Sequence, residues 1–241
     1  MPSANTVAIV AAGGSGSRVR APRPKQFLEL MGKPLLAHTV TRFMRSPDID
    51  RIVVVLPSHD FEQHVQLMTP WLSPGDDLKM VPGGDSRQDS VWNGISTIPL
   101  SFEGSVLVHD GARPLVSQEI IGNVVAAAKR FGGAIAGLPV GETLKEVGSD
   151  AVVVGTVDRR LYYHAQTPQC FRHRILRTAF DQARAEGFQG TDEAQLVERL
   201  GEKVHLVPGS VRNIKVTTRE HLALAEHYLA SGDEGEGGDG S

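Results

Sequence analysis

The sequence predicts an α/β domain with a mostly parallel sheet and helices on both of its faces. Two observations carry that prediction: short β-branched runs alternate with amphipathic stretches, and the first run opens directly into a glycine-rich loop. In order, Val7 to Ala11, Ile52 to Leu56, Leu78 to Val81, Val106 to His109 and Ala134 to Leu138 are strands by composition. The intervening helices are Leu35 to Arg45, His59 to Met68, Arg87 to Ile98, Gln118 to Phe131, Ile175 to Glu186, Asp192 to Leu200 and Arg219 to Leu229. The last carries a capping box, Thr217 with Glu220, and apolar positions at Leu222, Ala225 and Leu229.

The pattern changes between Val140 and Gln166. Glu142 to Val147 and Ala151 to Val157 alternate as two strands joined by Gly148-Ser149-Asp150, an excursion from the main sheet. An isolated two-stranded ribbon is only marginally stable. A projecting arm, at about 140–166, that pairs with a second copy of the chain is therefore the expected arrangement; an edge hairpin folded on its own domain is the alternative. Residues 1–230 then form one domain, and 231–241, reduced to Gly, Asp, Glu and Ser, form a tail expected to be disordered.

Ala11-Ala12-Gly13-Gly14-Ser15-Gly16-Ser17-Arg18, followed by Pro24-Lys25-Gln26, joins a phosphate-sized loop to two cations. Open α/β sheets bind ligands at the carboxyl ends of their strands, where this loop begins. Without side chains, the glycine amides can approach phosphate oxygens and form an anion-binding nest. Arg18 and Lys25 would meet the remaining charge of a nucleoside triphosphate. Two other phosphate loops are excluded: no Gly-Lys-Ser/Thr occurs, since Gly32-Lys33 runs into Pro34, and Val19 stands where a dinucleotide fingerprint needs its third glycine.

Composition narrows the partners. With 25 Lys and Arg against 28 Asp and Glu, net charge −3, the chain offers nucleic acid or an anionic membrane little attraction. No apolar run approaches the roughly 18 residues of a membrane span, and the first residues do not read as a secretory signal. The single Cys170 permits no intramolecular disulfide and reads as a packed thiol. A soluble, cytoplasmic protein is expected.

Val106 to Pro114 places Asp110 and Arg113 immediately after a buried strand, on the same sheet edge as the glycine loop. Asp110 suits Mg²⁺ or substrate hydroxyls, since triphosphates and hard oxygen ligands usually share that ion; alternatively it is a turn former paired with Arg113. His109 is expected to pack. The stretch from Val81 to Ser90 offers Gly83 and Gly84 amides and the Ser90 hydroxyl to a nucleobase edge, with Asp85 or Ser86 as a helix cap. Thr191-Asp192-Glu193 reads as an ordinary N-cap, and Asn213 to Thr217 as a strand with Lys215 inside it. There is no nucleophile elbow, HExxH pair or cysteine metal set.

Taken together, AAGGSGSR, PKQF, GGDSRQDS, HDGARP, TVDR, AQTPQCF, TDEA and NIKVTT, in that order, resemble the 2-C-methyl-D-erythritol 4-phosphate cytidylyltransferases of non-mevalonate isoprenoid synthesis. The resemblance implies a Rossmann-like nucleotidyltransferase, a homodimer built through the arm, and Mg²⁺-dependent transfer of CMP from CTP to a polyol phosphate. It implies that Arg18 and Lys25 stabilise charge at the α-phosphate. Gly13, Gly14, Ser15 and Gly16 would hold the triphosphate and Gly83, Gly84, Asp85 and Ser90 the cytidine, with Ala11, Ala12 and Gly111 also binding the nucleotide. Asp110, Arg113, Thr167, Thr191 and Lys215 would hold the polyol phosphate. Arg159 would reach it from the neighbouring subunit and, with Lys215, aim the nucleophile. One departure stands out: the family loop is A-A-G-x-G-x-R, and this chain carries one more glycine, so individual loop contacts stay open. The runner-up is a ribitol-5-phosphate cytidylyltransferase, although HDGARP and TVDR stand nearer to the first family; a non-catalytic nucleotide-binding module on the same fold is a third reading.

Overall fold

A computed structural model describes residues 5–13, 25–75 and 77–231, with Lys25 described by its backbone only. Gly14, Ser15, Gly16 and Arg18, and the tail expected beyond Ser231, lie outside the described residues. Along the chain run β1 (Thr6–Ala11), a 3₁₀ turn (Lys25–Phe27), β2 (Glu29–Leu30), β3 (Lys33–Pro34), α1 (Leu35–Met44), β4 (Arg51–Leu56), α2 (Phe61–Met68), β5 (Leu78–Pro82) and α3 (Arg87–Ser96). There follow β6 (Ser105–Asp110), α4 (Gln118–Phe131), β7 (Gly133–Pro139), β8 (Lys145–Val147), β9 (Val153–Thr156), a second 3₁₀ turn (Arg159–Leu161), β10 (Tyr163–Arg172), α5 (His173–Ala185), α6 (Glu193–Arg199), β11 (His205–Pro208) and α7 (Arg219–Ala230).

Seven strands form the main sheet in the order β11-β7-β10-β6-β1-β4-β5. All its pairings are parallel except those of β10, which runs antiparallel between β6 and β7. The mostly parallel sheet is therefore as expected, and β10 is the exception within it. The central strands are apolar on both faces because both faces are covered. On β1, Ala8 and Val10 face a core shared with α1 and α4, while Val7 and Ile9 face one shared with α3, α5 and α6. A third cluster joins Leu30 and Leu35 to Ala112, Val216 and Ala225, seating α7 against the loop that follows β6.

Helix ends follow local chemistry. Ser117 caps α4 by accepting the Ile120 amide at 3.2 Å, and Gly132, at φ +99°, closes it by donating its N–H to the Ala128 carbonyl. The expected span of α4 is the observed one. Three local readings need correction. The cap of α7 is Thr218, which accepts from the His221 amide, rather than Thr217, whose hydroxyl lies 3.0 Å from His221 Nδ1. Asn213 to Thr217 lies outside the sheets: Val216 donates its amide to the Ala112 carbonyl at 2.8 Å while its side chain enters the third cluster, so this stretch packs on a loop instead of pairing along a strand. The ribbon is real but shorter than expected, β8 and β9 forming a two-stranded sheet of their own closed by a turn in which Gly148 bonds Val152. Unanticipated were β10 and β11, the first polar and containing Pro168, the second a four-residue edge strand ending in Pro208.

The approach of α3 to the sheet is set by one residue. A Cβ on Gly94 would lie 2.8 Å from Ile9 Cγ2 and 3.3 Å from Val55 Cγ2, both on short β-branched side chains of central strands. Gly94→Ala gains about 1 kcal/mol of helix propensity and loses about 1–3 kcal/mol to overpacking. The expected net result is a loss of about 1 kcal/mol, seen as a fall of about 2–4 °C in the thermal midpoint; a rise would show that the contact relaxes without cost.

Candidate active site

From β1 the chain steps outward to β4 and β5, then returns to the other side of β1 to form β6. The direction of the sheet order reverses there, and a crevice opens outside the carboxyl ends of β1 and β6, where ligands bind in open α/β sheets. Register puts Ala11, the last residue of β1, beside Asp110, the last of β6. The glycine loop and the acid therefore leave the sheet side by side.

Asp110 is buried and gathers cations from three directions. Its Oδ1 accepts from Arg87 Nε at 3.1 Å, and its Oδ2 lies 2.7 Å from Lys215 Nζ and 3.7 Å from Arg113 Nε. Burial alone would push its pKa up. The charges of Arg87, Lys215 and Arg113 outweigh that and hold the carboxyl well below the usual range, so it stays ionised. Burial likewise works against the charge on Arg87, and Glu193 with Asp110 more than restores it. The structure thus brings Lys215 and Arg113 to Asp110.

Buried polar side chains hold these groups in place. Thr167 Oγ1 accepts the Asp110 amide at 3.0 Å. The Asn213 side chain donates to the Thr167 carbonyl at 2.8 Å, and the Asn213 backbone carbonyl accepts from Arg113 Nη1 at 2.7 Å, fastening the segment that carries Lys215 to β10 and to the β6 loop. Gln169 donates to Asp192 Oδ2 at 2.9 Å and accepts from the Ala194 amide at 3.0 Å, clamping the start of α6 to β10. The N-cap of α6 is Asp192, accepting from the Gln195 amide, while Thr191 is exposed with its amide donated to Gln195. Sequence reasoning left Arg87 and Glu193 without roles, although both sit in quoted motifs; the available signal was a charged residue opening each of two helices that flank the crevice.

The glycine side of the site is built on close backbone approach. A Cβ on Gly13 would lie 2.6 Å from Ser90 Oγ, and one on Gly83 would lie 2.8 Å from that same oxygen and 3.2 Å from Gly13 Cα. Only glycine allows the two loops to meet over Ser90. The amides here are not bare, however: Gly83 donates to the Leu56 carbonyl at 2.7 Å, and Gly84 donates to Ser90 Oγ at 3.1 Å, which itself donates to the Ser86 carbonyl at 2.9 Å. Ser86 rather than Asp85 caps α3, accepting the Asp89 amide, and Asp85 is exposed. Ala12 donates its amide to Val55 and accepts from Gln26 Nε2 at 2.7 Å, and Phe27 stacks on His64 at 4.5 Å, which fixes the backbone carrying Lys25 beside the loop. Gly111 spends both backbone groups within the fold, its amide on the Ala11 carbonyl at 2.9 Å and its carbonyl on Thr39 at 2.9 Å.

Arg159 lies apart from this cluster, exposed on the 3₁₀ turn after the ribbon, where it donates to the Gly141 carbonyl. Around it the arm leaves Val152, Val153, Val154, Leu161, Tyr162 and Tyr163 exposed, Leu161 by 79%. Six large apolar or aromatic side chains are thus exposed on one short stretch of the chain. The expected Mg²⁺ ligand, Asp110, has both oxygens facing cations, and no group of three His, Cys, Asp or Glu among the described residues could hold a metal. This donor set does not fit a divalent ion held by the protein. Burial pushes the Cys170 thiol up to about 12, in keeping with a packed, unreactive cysteine. No helix among the described residues is long and apolar enough to cross a membrane.

Comparison with known proteins agrees with this geometry. Residues 6–231 match the family model of 2-C-methyl-D-erythritol 4-phosphate cytidylyltransferase. The protein of that name from Syntrophus aciditrophicus is 44% identical over 226 residues, covering 92% of this chain and 95% of the relative. One from Acidobacterium capsulatum is 42% identical over 229 residues, with the same coverage. The crystal structure of the cytidylyltransferase from Thermus thermophilus superposes with a TM-score of 0.73 at 35% identity, covering 93% of this chain and 98% of that one. The 4-diphosphocytidyl-2C-methyl-D-erythritol synthase of Anaerococcus prevotii superposes with a TM-score of 0.80 at 30% identity, over 93% and 97%.

His109, beneath Asp110, is fully buried against Phe43 with Nε2 3.1 Å from the Arg113 carbonyl. Burial, reinforced by Arg113 and Lys215, lowers its pKa from 6.5 to about 4, so it packs in the neutral form. The unfolded chain accepts a proton that the folded chain refuses, so this contribution to stability is complete above an unfolded pKa of about 6.5 and is lost as pH falls towards the folded value. Denaturant unfolding at pH 7 and pH 5 should show a smaller loss for His109→Gln than for the unsubstituted chain. Equal losses would remove His109 from the pH dependence.

Proposed function

The chain belongs to the 2-C-methyl-D-erythritol 4-phosphate cytidylyltransferase family, and from that premise we propose how its residues carry the transfer of CMP from CTP to methylerythritol phosphate with release of pyrophosphate. The observation that supports this most is the meeting, at one switch point, of a glycine loop and an Asp110 carboxylate surrounded by Lys215, Arg113 and Arg87.

A phosphate monoester has a second pKa of roughly 6 and is already ionised at neutral pH, so no general base is needed. The difficulty is repulsion: an anionic oxygen must approach the α-phosphorus of a triphosphate. We assign the triphosphate to the loop from Ala11 to Gly16, with Arg18 and Lys25 meeting the α-phosphate, and the polyol phosphate to Asp110, Arg113, Thr167, Thr191 and Lys215. The substrate's phosphate oxygen forms a bond to the α-phosphorus in line with the bond to pyrophosphate as that bond breaks. No covalent enzyme intermediate is required, and catalysis is positioning plus charge stabilisation. Mg²⁺ we place on the triphosphate oxygens, which are hard donors in their own right, and not in a protein cage. With the Gly83 and Gly84 amides spent inside the fold, shape and backbone carbonyls remain to sort the base. Carbonyl acceptors suit the 4-amino donor of cytosine, and the close approach of Gly13 to Gly83 supports a base site too small for purines.

We place the second copy of the chain on the exposed apolar strip of the arm, with Arg159 entering the partner's site. A cytoplasmic address accords with the demand for CTP and with a single reduced thiol.

Pyrophosphate release should be fast with CTP and methylerythritol phosphate and slow when ATP replaces CTP or ribitol 5-phosphate replaces the polyol. Comparable kcat/KM for CTP and ATP would defeat the base assignment; comparable values for the two polyols would defeat the substrate assignment. For the shared site, Arg159→Ala and Lys25→Ala homodimers should each be inactive, and subunit exchange between them should restore up to about half the per-site activity in each heterodimer, because one of its two sites carries neither defect. Exchange without rescue would return Arg159 to its own chain.

A further inference from the structure

Behind the Asp110 carboxylate stand the two charged residues to which the sequence attached no chemistry. Arg87, the first residue of α3, presents Nε to Asp110 Oδ1 at 3.1 Å. Its other edge is forked onto Glu193, the first residue of α6, Nη1 meeting Oε1 at 2.6 Å and Nη2 meeting Oε2 at 3.0 Å. The Glu193 side chain is 1% exposed and that of Arg87 33% exposed.

Burying such a pair costs desolvation, and an apolar pair of similar volume is often as stable or more so. Stability alone therefore does not account for it. What the fork does is geometric. A guanidinium held by two parallel bonds cannot rotate, so a single N–H meets Asp110 and only Oδ1 is engaged. Glu193 also cancels the charge that would otherwise draw Asp110 into a two-pronged pair or capture the substrate's phosphate. Oδ2 is left facing Lys215 and Arg113, on the side assigned to the polyol phosphate. Gln169, through Asp192 and the Ala194 amide, fixes the start of α6 to β10 and so holds Glu193 against the sheet.

We propose that Arg87 and Glu193 form a positioning pair for the polyol phosphate, locking Asp110 so that one carboxylate oxygen is presented to the substrate. This rests on the assignment of Asp110 to that substrate. The pair touches no reacting atom; it acts through Asp110.

The test compares three proteins with the unsubstituted chain: the double variant Arg87→Met/Glu193→Leu, which fills the pair's volume with apolar groups, the isosteric Glu193→Gln, and Asp110→Asn. Thermal midpoints and separate KM values for CTP and methylerythritol phosphate are measured for each. The double variant should fold with an unchanged or raised midpoint, and both it and Glu193→Gln should show KM for the polyol phosphate raised about tenfold, the size of one charged hydrogen bond misdirected, with KM for CTP within about twofold. A purely structural pair predicts that the double variant recovers stability and polyol KM together, and that result would overturn the proposal. So would a parallel rise in both KM values, or failure of both pair variants to fold, since either makes the pair a staple. A normal polyol KM in Asp110→Asn would bring down the underlying assignment, and the proposal with it, whatever the pair variants do.

Discussion

A carboxylate at the end of a central strand, removed from water, is tolerable only when paired. Asp110 meets that condition by recruiting Arg87 from the start of α3, Arg113 from the loop after β6, and Lys215 from the segment before α7. These are far apart along the chain, and the requirement for cations at one point draws them to the same crevice. Because Glu193 answers one of the three, the cluster of three cations and two carboxylates keeps one positive charge in excess, suited to a site that must bring two anions together. Electrostatics and chain topology are coupled here: Arg87 and Lys215 meet the switch point through Asp110, while Asn213 and Val216 hold the late segment there by bonds of their own.

The antiparallel strand β10 is the second scaffold. A strand inside a covered sheet is normally apolar, yet β10 buries Gln166, Thr167 and Gln169. Each spends its polar atoms on a different part of the site: Gln166 on the Ser210 carbonyl and the Asn213 amide group, Thr167 on the Asp110 amide, Gln169 on α6. The bulge between Ala165 and Gln169 lets this part of the strand leave regular pairing and turn those side chains towards the site.

The arm obeys a different constraint. Its strands pair only with each other, and its valines and tyrosines face outward. Its apolar surface is left for another surface to cover, whereas the core of the domain is complete on both faces of the sheet.

The alternation of apolar runs made the sheet, its parallel character and nearly every helix legible in the sequence, because central strands and the helices covering them are selected by burial and burial leaves a periodic mark. The glycine loop and Asp110, with Arg113 close behind it, were legible for a related reason, standing just after such runs, whereas the substrate role of Lys215 came only from the resemblance. What the sequence could not show is what depends on partners distant in the chain. β10 lacks strand periodicity because its buried positions are polar, and they are polar because of what lies opposite them in space. Lys215 looked like a strand lysine because local apolar neighbours resemble a strand, whereas Val216 in fact plugs into the cluster around Ala112. The Gly83 and Gly84 amides looked available because only the fold brings Leu56 and Ser90 to them. Arg87 and Glu193, separated by 106 positions, carry no mutual signal in one dimension; tertiary structure alone decides that they meet, because only there does Asp110 need a neutral fork behind it.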